Sequence, residues 1–278
     1  MNDAAKSSAD DVEGIHEGLP KQEDHWRVVA ESVLGSSHEK AGLPCQDAHK
    51  WAILRPGVLV AAVADGAGSA AMAEVGSTTA VDAAVDFVIS AEYFPNTSTN
   101  DQGWADFLTS VLMAVLVSIG TAATRHEAEP SDLATTLILA IVTAEMAAVA
   151  QIGDGVAVGC NEKGEIVPLT SPQSGEFINE TYFVTSQDAM DNMEIVVWRG
   201  RLSRLALMSD GLQMIALRMP SREPYPGFFV PLFDFIAETK NGDEAQEQIL
   251  SFLKSPRVRE RTDDDLTLLL AALIEEGT

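Results

Sequence analysis

The stretch Val58-Leu59-Val60-Ala61-Ala62-Val63-Ala64-Asp65-Gly66-Ala67-Gly68 decides the reading of this chain. From Val58 to Ala64 every side chain is apolar, with no polar residue at alternate positions. A strand with one wet face alternates, so this run predicts a strand covered on both faces. It then stops at Asp65-Gly66-Ala67-Gly68, a tight-turn signal that puts a carboxylate at the end of a core strand.

Upstream, Trp26, Val28 and Ala30 alternate with more polar neighbours and predict another strand. Residues 35–46, with Gly35, Gly42 and Pro44, read as a loop. Downstream, the Ala-rich residues 70–91 and residues 104–127, which stop before Pro130, predict two long helices. Strands follow at 136–143, 146–152, 156–160, 165–169, 194–198 and 204–208. Helices at 228–239 and 243–254 precede a last strand at 266–273. Strands in runs, rather than strict alternation with helices, predict an α+β fold with antiparallel sheets covered by helices.

The chain has 278 residues, enough for one large domain, and no internal linker marks a second. Residues 1–24 are acidic and polar without periodicity and read as a flexible tail; residues 25–275 read as one domain. The tail has neither a basic start nor an apolar core, so it does not read as a signal peptide. The apolar run at 107–124 reads as a core helix rather than a membrane span. Eighteen Lys and Arg against 42 Asp and Glu give a net charge of −24. That balance excludes nucleic acid and anionic membrane surfaces as partners, because both need clustered cations. Cys45 and Cys160 make no disulfide framework, and a cytoplasmic protein is the expectation.

Five aspartates share one setting. Asp65, Asp154 and Asp210 each follow an apolar run and precede glycine; Asp47 follows a loop; Asp264 stands just before the last strand. Asp-Gly alone is an ordinary turn dipeptide. Carboxylates repeated at strand ends, however, can converge on one edge of a core. Oxygen donors without His or Cys partners select hard cations such as Mg²⁺ or Mn²⁺.

The series Pro44-Cys45-Gln46-Asp47, Val63-Ala64-Asp65-Gly66-Ala67-Gly68-Ser69, Gly153-Asp154-Gly155, Ser209-Asp210-Gly211 and Asp264-Asp265-Leu266-Thr267 resembles the metal-dependent protein phosphatases of the 2C type, in particular their compact bacterial branch. The resemblance runs from about Trp26 to Leu273. It implies a four-layer α-β-β-α sandwich of two antiparallel sheets flanked by helices. It also implies two Mn²⁺ or Mg²⁺ ions in a cleft, with Asp65 bridging both, the Gly66 carbonyl on one, Asp210 and Asp264 completing the other, and Asp47 reaching metal through water. Asp154, with Asp210, would hold a third and looser ion. The implied activity is hydrolysis of phosphoserine and phosphothreonine in proteins by a water that the metal pair activates, which needs no protein nucleophile. A phosphorylated protein substrate and a cognate Ser/Thr kinase follow from it. The alternative is a non-catalytic relative that binds phosphoproteins or regulates without turnover.

The chain departs from the family pattern in two places. Ala67 stands where eukaryotic members carry a general-acid His, and no Arg lies between Arg27 and Arg55 to bind phosphate. His38 and Lys40 are the candidates for that phosphate contact. Gly66-Ala67-Gly68-Ser69-Ala70-Ala71 also fits a dinucleotide fingerprint, but Asp65 would repel a pyrophosphate and no acid-terminated strand follows at the required distance. His16, His25, His49 and His126 show no ligand spacing, and the two cysteines read as inert. The insert at 174–186 is a candidate flap over the cleft.

Overall fold

The structure is a computed structural model that describes residues 25–143, 145–173 and 181–274. In chain order its elements are β1 (His25–Val33), α1 (Ser36–Ala41), β2 (Asp47–Arg55), β3 (Val58–Asp65), α2 (Ala73–Ser90), α3 (Asp101–Arg125), β4 (Leu137–Val142), β5 (Met146–Ile152), β6 (Val156–Asn161), β7 (Ile166–Pro168) and α4 (Ala189–Asn192). Then come β8 (Glu194–Arg199), β9 (Leu202–Met208), α5 (Gln213–Ala216), β10 (Leu217–Arg218), β11 (Glu223–Pro224), α6 (Pro226–Glu238), α7 (Gly242–Leu253), α8 (Pro256–Arg259) and β12 (Leu266–Ile274).

Two antiparallel sheets, ordered β1-β12-β9-β6-β7 and β2-β3-β4-β5-β8, pack face to face. Side chains alternate between two environments. Leu59, Ala61 and Val63 of β3 meet Leu205, Leu207, Leu269 and Ala271 of the opposite sheet. Val58, Val60, Ala62 and Ala64 turn outward onto α2 and α3. On the other side, Leu266, Leu268 and Leu270 of β12 pack under α6 and α7. The unbroken apolar runs therefore come from helix layers covering both outer faces, and the α-β-β-α sandwich is the observed architecture. Burial of this kind contributes roughly 1.5–3 kcal/mol per large aliphatic side chain.

The helix α3 is long and apolar enough to cross a membrane, yet Trp104, Leu108, Val111, Val115 and Ile119 are buried against α2 and the second sheet. Residues 35–46 are not wholly loop. The short helix α1 interrupts them and ends at Gly42, which takes a left-handed conformation at φ 69°. Asp47, expected just past a loop, opens an edge strand, β2, on which Trp51 and Ile53 are exposed. The expected tail at 1–24 lies outside the described residues.

Candidate active site

One end of the sandwich collects the carboxylates. Strand β3 delivers Asp65 as its last residue, and the β2–β3 register sets it opposite Asp47. The Asp65 backbone is pinned by Thr136: its amide donates to Thr136 Oγ1 at 2.9 Å, and its carbonyl accepts from the Thr136 amide at 2.8 Å. Gly66 donates its amide to the Gln46 carbonyl at 3.0 Å. A Cβ on Gly66 would come to 2.5 Å from the Ala73 carbonyl oxygen, so only glycine lets the start of α2 sit this close behind Asp65.

Strand β9 ends at Met208, and Ser209 then ties three strands together. Its hydroxyl donates to Asp47 Oδ2 at 2.6 Å and accepts from the Thr267 amide of β12 at 2.9 Å. Asp210 opens the 3₁₀ turn Asp210–Leu212, and its charge acts on Asp65. Asp264 lies exposed at the rim, and its charge acts on Asp65, Asp210 and Asp154. Asp154 sits in the Gly153–Gly155 turn, where its carboxylate accepts from Thr181 Oγ1 at 2.8 Å and its backbone carbonyl from Gln213 Nε2 at 2.8 Å. The five predicted aspartates thus form one electrostatic group, although they come from positions up to 217 residues apart (Asp47 to Asp264).

Crowding like charges in a dry place favours the protonated form. Burial pushes Asp47 up to about 7, helped by the charges of Asp265 and Asp210 and opposed by the hydroxyls of Ser209 and Thr267. Asp210 is pushed up to about 6 by burial and then by Asp154. Asp65 is raised well above the ordinary carboxylate range by burial and by Asp47 and Asp210, and Asp154 is raised chiefly by burial. Burial and the nearby Asp47 charge also push the Cys45 thiol to about 12, which removes it as a nucleophile.

The residues fit a divalent cation on three counts. Asp47 Oδ1 and Asp210 Oδ1 are buried without a hydrogen-bond partner. The donor set is all oxygen, which suits hard cations. Like charges also crowd there, since Asp47, Asp210 and Asp264 all act on Asp65. Among the described residues no three carboxylate, imidazole or thiol groups already stand around one point.

The two phosphate candidates part company. His38 Nδ1 lies 2.9 Å from Asp265 Oδ2, and His38 is mostly buried. Asp265 in turn accepts the amides of Gly35 and Gln46, each at 2.6 Å. This fixes α1 and the approach to Asp47 around one buried carboxylate. Lys40 is exposed at the end of α1. Residues 174–180 of the expected flap lie outside the described residues; Thr181, just after them, is the residue that reaches Asp154. Sequence reasoning missed Ser209, Thr267 and Asp265 as supports. All three stand inside the quoted motifs, but small hydroxyls and a second aspartate carry no signal that separates a support from a ligand.

The profile of the Protein phosphatase 2C family matches residues 34–254. The chain is 35% identical over 256 residues to Serine/threonine-protein phosphatase 3 of Escherichia coli (strain K12), covering 90% of this chain and 99% of that protein. Among solved structures it resembles a bacterial serine phosphatase, at TM-score 0.64 and 16% identity over 91% of this chain and 100% of that one. It resembles the serine/threonine phosphatase Stp1 from Staphylococcus aureus equally, at TM-score 0.64 and 15% identity over 94% of this chain and 100% of that one. With the fold, the ordered motifs and these relatives in agreement, the chain belongs to the protein phosphatase 2C family.

Proposed function

We propose that the chain is a serine/threonine protein phosphatase whose Asp47, Asp65, Gly66 carbonyl, Asp210 and Asp264 hold two divalent cations, Mn²⁺ or Mg²⁺, with Asp154 and Asp210 serving a third. The observation that carries this reading is the pair of buried carboxylate oxygens, Asp47 Oδ1 and Asp210 Oδ1, left without any partner in a cluster of like charges. A buried unpaired carboxylate is costly, and a cation is the partner that offsets it.

Bound there, divalent cations supply the positive charge that lowers the pKa of a water toward neutrality and balances the phosphoryl oxygens. The chain's own residues do the positioning. Ser209 fixes the Asp47 carboxylate and is itself held by the Thr267 amide, and Thr136 fixes the backbone of Asp65. His38 Nδ1 stands 2.9 Å from Asp265 Oδ2, which leaves Nε2 as the ring nitrogen available to a phosphoryl oxygen. Lys40, with no such support, is not needed for it. The substrate is a phosphoserine or phosphothreonine protein made by a cognate kinase. A cytoplasmic location is part of the proposal, supported by two free cysteines of which Cys160 is buried.

Hydrolysis of an aryl phosphate and of a phosphothreonine peptide tests this with added Mn²⁺, with chelator and with Asp210→Asn. Activity that needs Mn²⁺ and disappears in the other two conditions supports the proposal. Activity surviving both chelator and substitution contradicts it. Metal binding without turnover on any phosphopeptide favours a non-catalytic relative.

A further inference from the structure

Beside the acidic end lies a groove of opposite character. It has a volume of about 560 Å³ and runs between α5, β10, α6, α7 and α8. Its floor is apolar, with Phe228, Pro231 and Phe252, and Met214 and Tyr225 stand at its edge 62% and 44% exposed. Apolar side chains gathered in an open concavity of this size mark a binding surface more often than a bare exterior.

Its charge is the unusual part. Arg218, Arg257 and Arg261 all line it. The chain has 42 acidic residues for 18 basic ones, so a guanidinium on this surface has carboxylates in excess to pair with. Arg199 meets Asp101, Arg204 meets Asp234 and Arg259 meets Glu39, whereas Arg27 is spent on the carbonyls of Ile236 and Ala237 and Arg55 on the Phe94 ring. Among the described residues the three groove arginines have no carboxylate within ion-pair distance. Arg218 instead lies over the Tyr225 ring, 5.5 Å from its centroid, which extends the apolar rim while leaving the charge outward.

The groove is joined to the acidic cluster through a short segment. Asp210–Leu212 leads directly into α5, where Gln213 bonds back to the Asp154 carbonyl and the next residue, Met214, lines the groove. A phosphorylated chain reaching the aspartates must cross a surface whose net charge repels it. Three guanidiniums gathered at one groove lower that repulsion there.

We propose that this groove docks an acidic segment of the phosphoprotein substrate, with an apolar or aromatic side chain on Phe228, Pro231 and Phe252 and carboxylates on Arg218, Arg257 and Arg261. The proposal rests on the phosphatase reading for the identity of the occupant, but the groove's chemistry is separable from catalysis. Docking away from the reacting phosphate raises the effective concentration of the phosphoresidue at the aspartates and so lowers KM.

The test uses the full chain, a fluorescein-labelled peptide with a central phenylalanine flanked by glutamates, and the same peptide flanked by lysines. Fluorescence anisotropy should show binding of the acidic peptide only, weakening as salt rises. In the triple variant Arg218→Gln, Arg257→Gln, Arg261→Gln its affinity should fall about tenfold or more. In assays, that variant should keep aryl phosphate turnover within about twofold, while KM rises about tenfold for a phosphothreonine peptide carrying the glutamate–phenylalanine extension. If the triple variant melts early, the lysine-peptide and salt comparisons on the unaltered chain still decide. Failure of the unaltered chain to bind the acidic peptide, or equal binding by both proteins, overturns the proposal. Binding that emerges only after residues 2–24 are deleted also overturns it, by making the chain's own acidic N-terminus the occupant. Arginine-dependent binding in a protein that hydrolyses no phosphoester supports the groove and overturns the catalytic reading.

Discussion

Asp265 and Asp47 are both buried, at 2% and 7% exposure, yet their oxygens are used in opposite ways. Asp265 spends both: Oδ1 on the Gly35 amide, and Oδ2 on the Gln46 amide and beside His38. Asp47 spends one on Ser209 and leaves the other with no partner, as Asp210 leaves its Oδ1. Both patterns cost desolvation, but only Asp265 recovers it within the protein. Burial of a carboxylate therefore does not by itself mark a ligand. What marks one here is a buried carboxylate oxygen that nothing in the chain satisfies.

The sharpest way to break this contrast is by substitution at the two kinds of site. Asp210→Asn should lower kcat/KM on aryl phosphate by on the order of 10³-fold or more, while the protein stays folded. Asp265→Ala should instead destabilise by about 2–4 kcal/mol, read by denaturant unfolding, because it strands two buried amides and frees His38. A large activity loss with unchanged stability in Asp265→Ala would erase the distinction.

A smaller effect is expected from pH. The raised carboxyls of Asp47 (about 7) and Asp210 (about 6) bind protons more tightly in the folded chain than in the unfolded one. Their contribution is fully present below the ordinary aspartate range and is lost as pH rises through about 6 to 7. Metal-free protein should therefore melt at progressively lower temperature from pH 5 to pH 8, and saturating Mn²⁺ should flatten that slope. At pH 8 Asp47→Asn should raise the metal-free melting temperature, the reverse of Asp265→Ala. The smallest effect separates the two loop cations: His38→Ala should cost about tenfold in kcat/KM, and Lys40→Ala no more than about twofold.

Much of this was legible in the residue order, for identifiable reasons. The run from Val58 to Asp65 gave away a strand because both its faces are covered, and the helix layers follow from that. β2 did not show itself, since an edge strand with exposed Trp51 and Ile53 beside Lys50 and His49 has no clean period. α1 stayed hidden because six residues are too few for a helical face to register. The five aspartates were readable from their strand-end position next to glycine. The different parts played by Asp264 and Asp265 were not, because only the fold sets one at the rim and buries the other between the Gly35 and Gln46 amides.

The central claim is that unsatisfied carboxylate oxygens brought together at the sandwich end hold hard cations. Isothermal titration of Mn²⁺ into metal-free protein near pH 6.5, repeated in two buffers of different ionisation enthalpy, tests it most directly. The account predicts saturable binding that releases protons, because burial and mutual repulsion raise Asp47 and Asp65 and a cation takes the ionised carboxylates. It also predicts that Asp65→Asn removes that binding and that Asp265→Asn does not. Binding without proton release, or binding that survives Asp65→Asn unchanged, would contradict it.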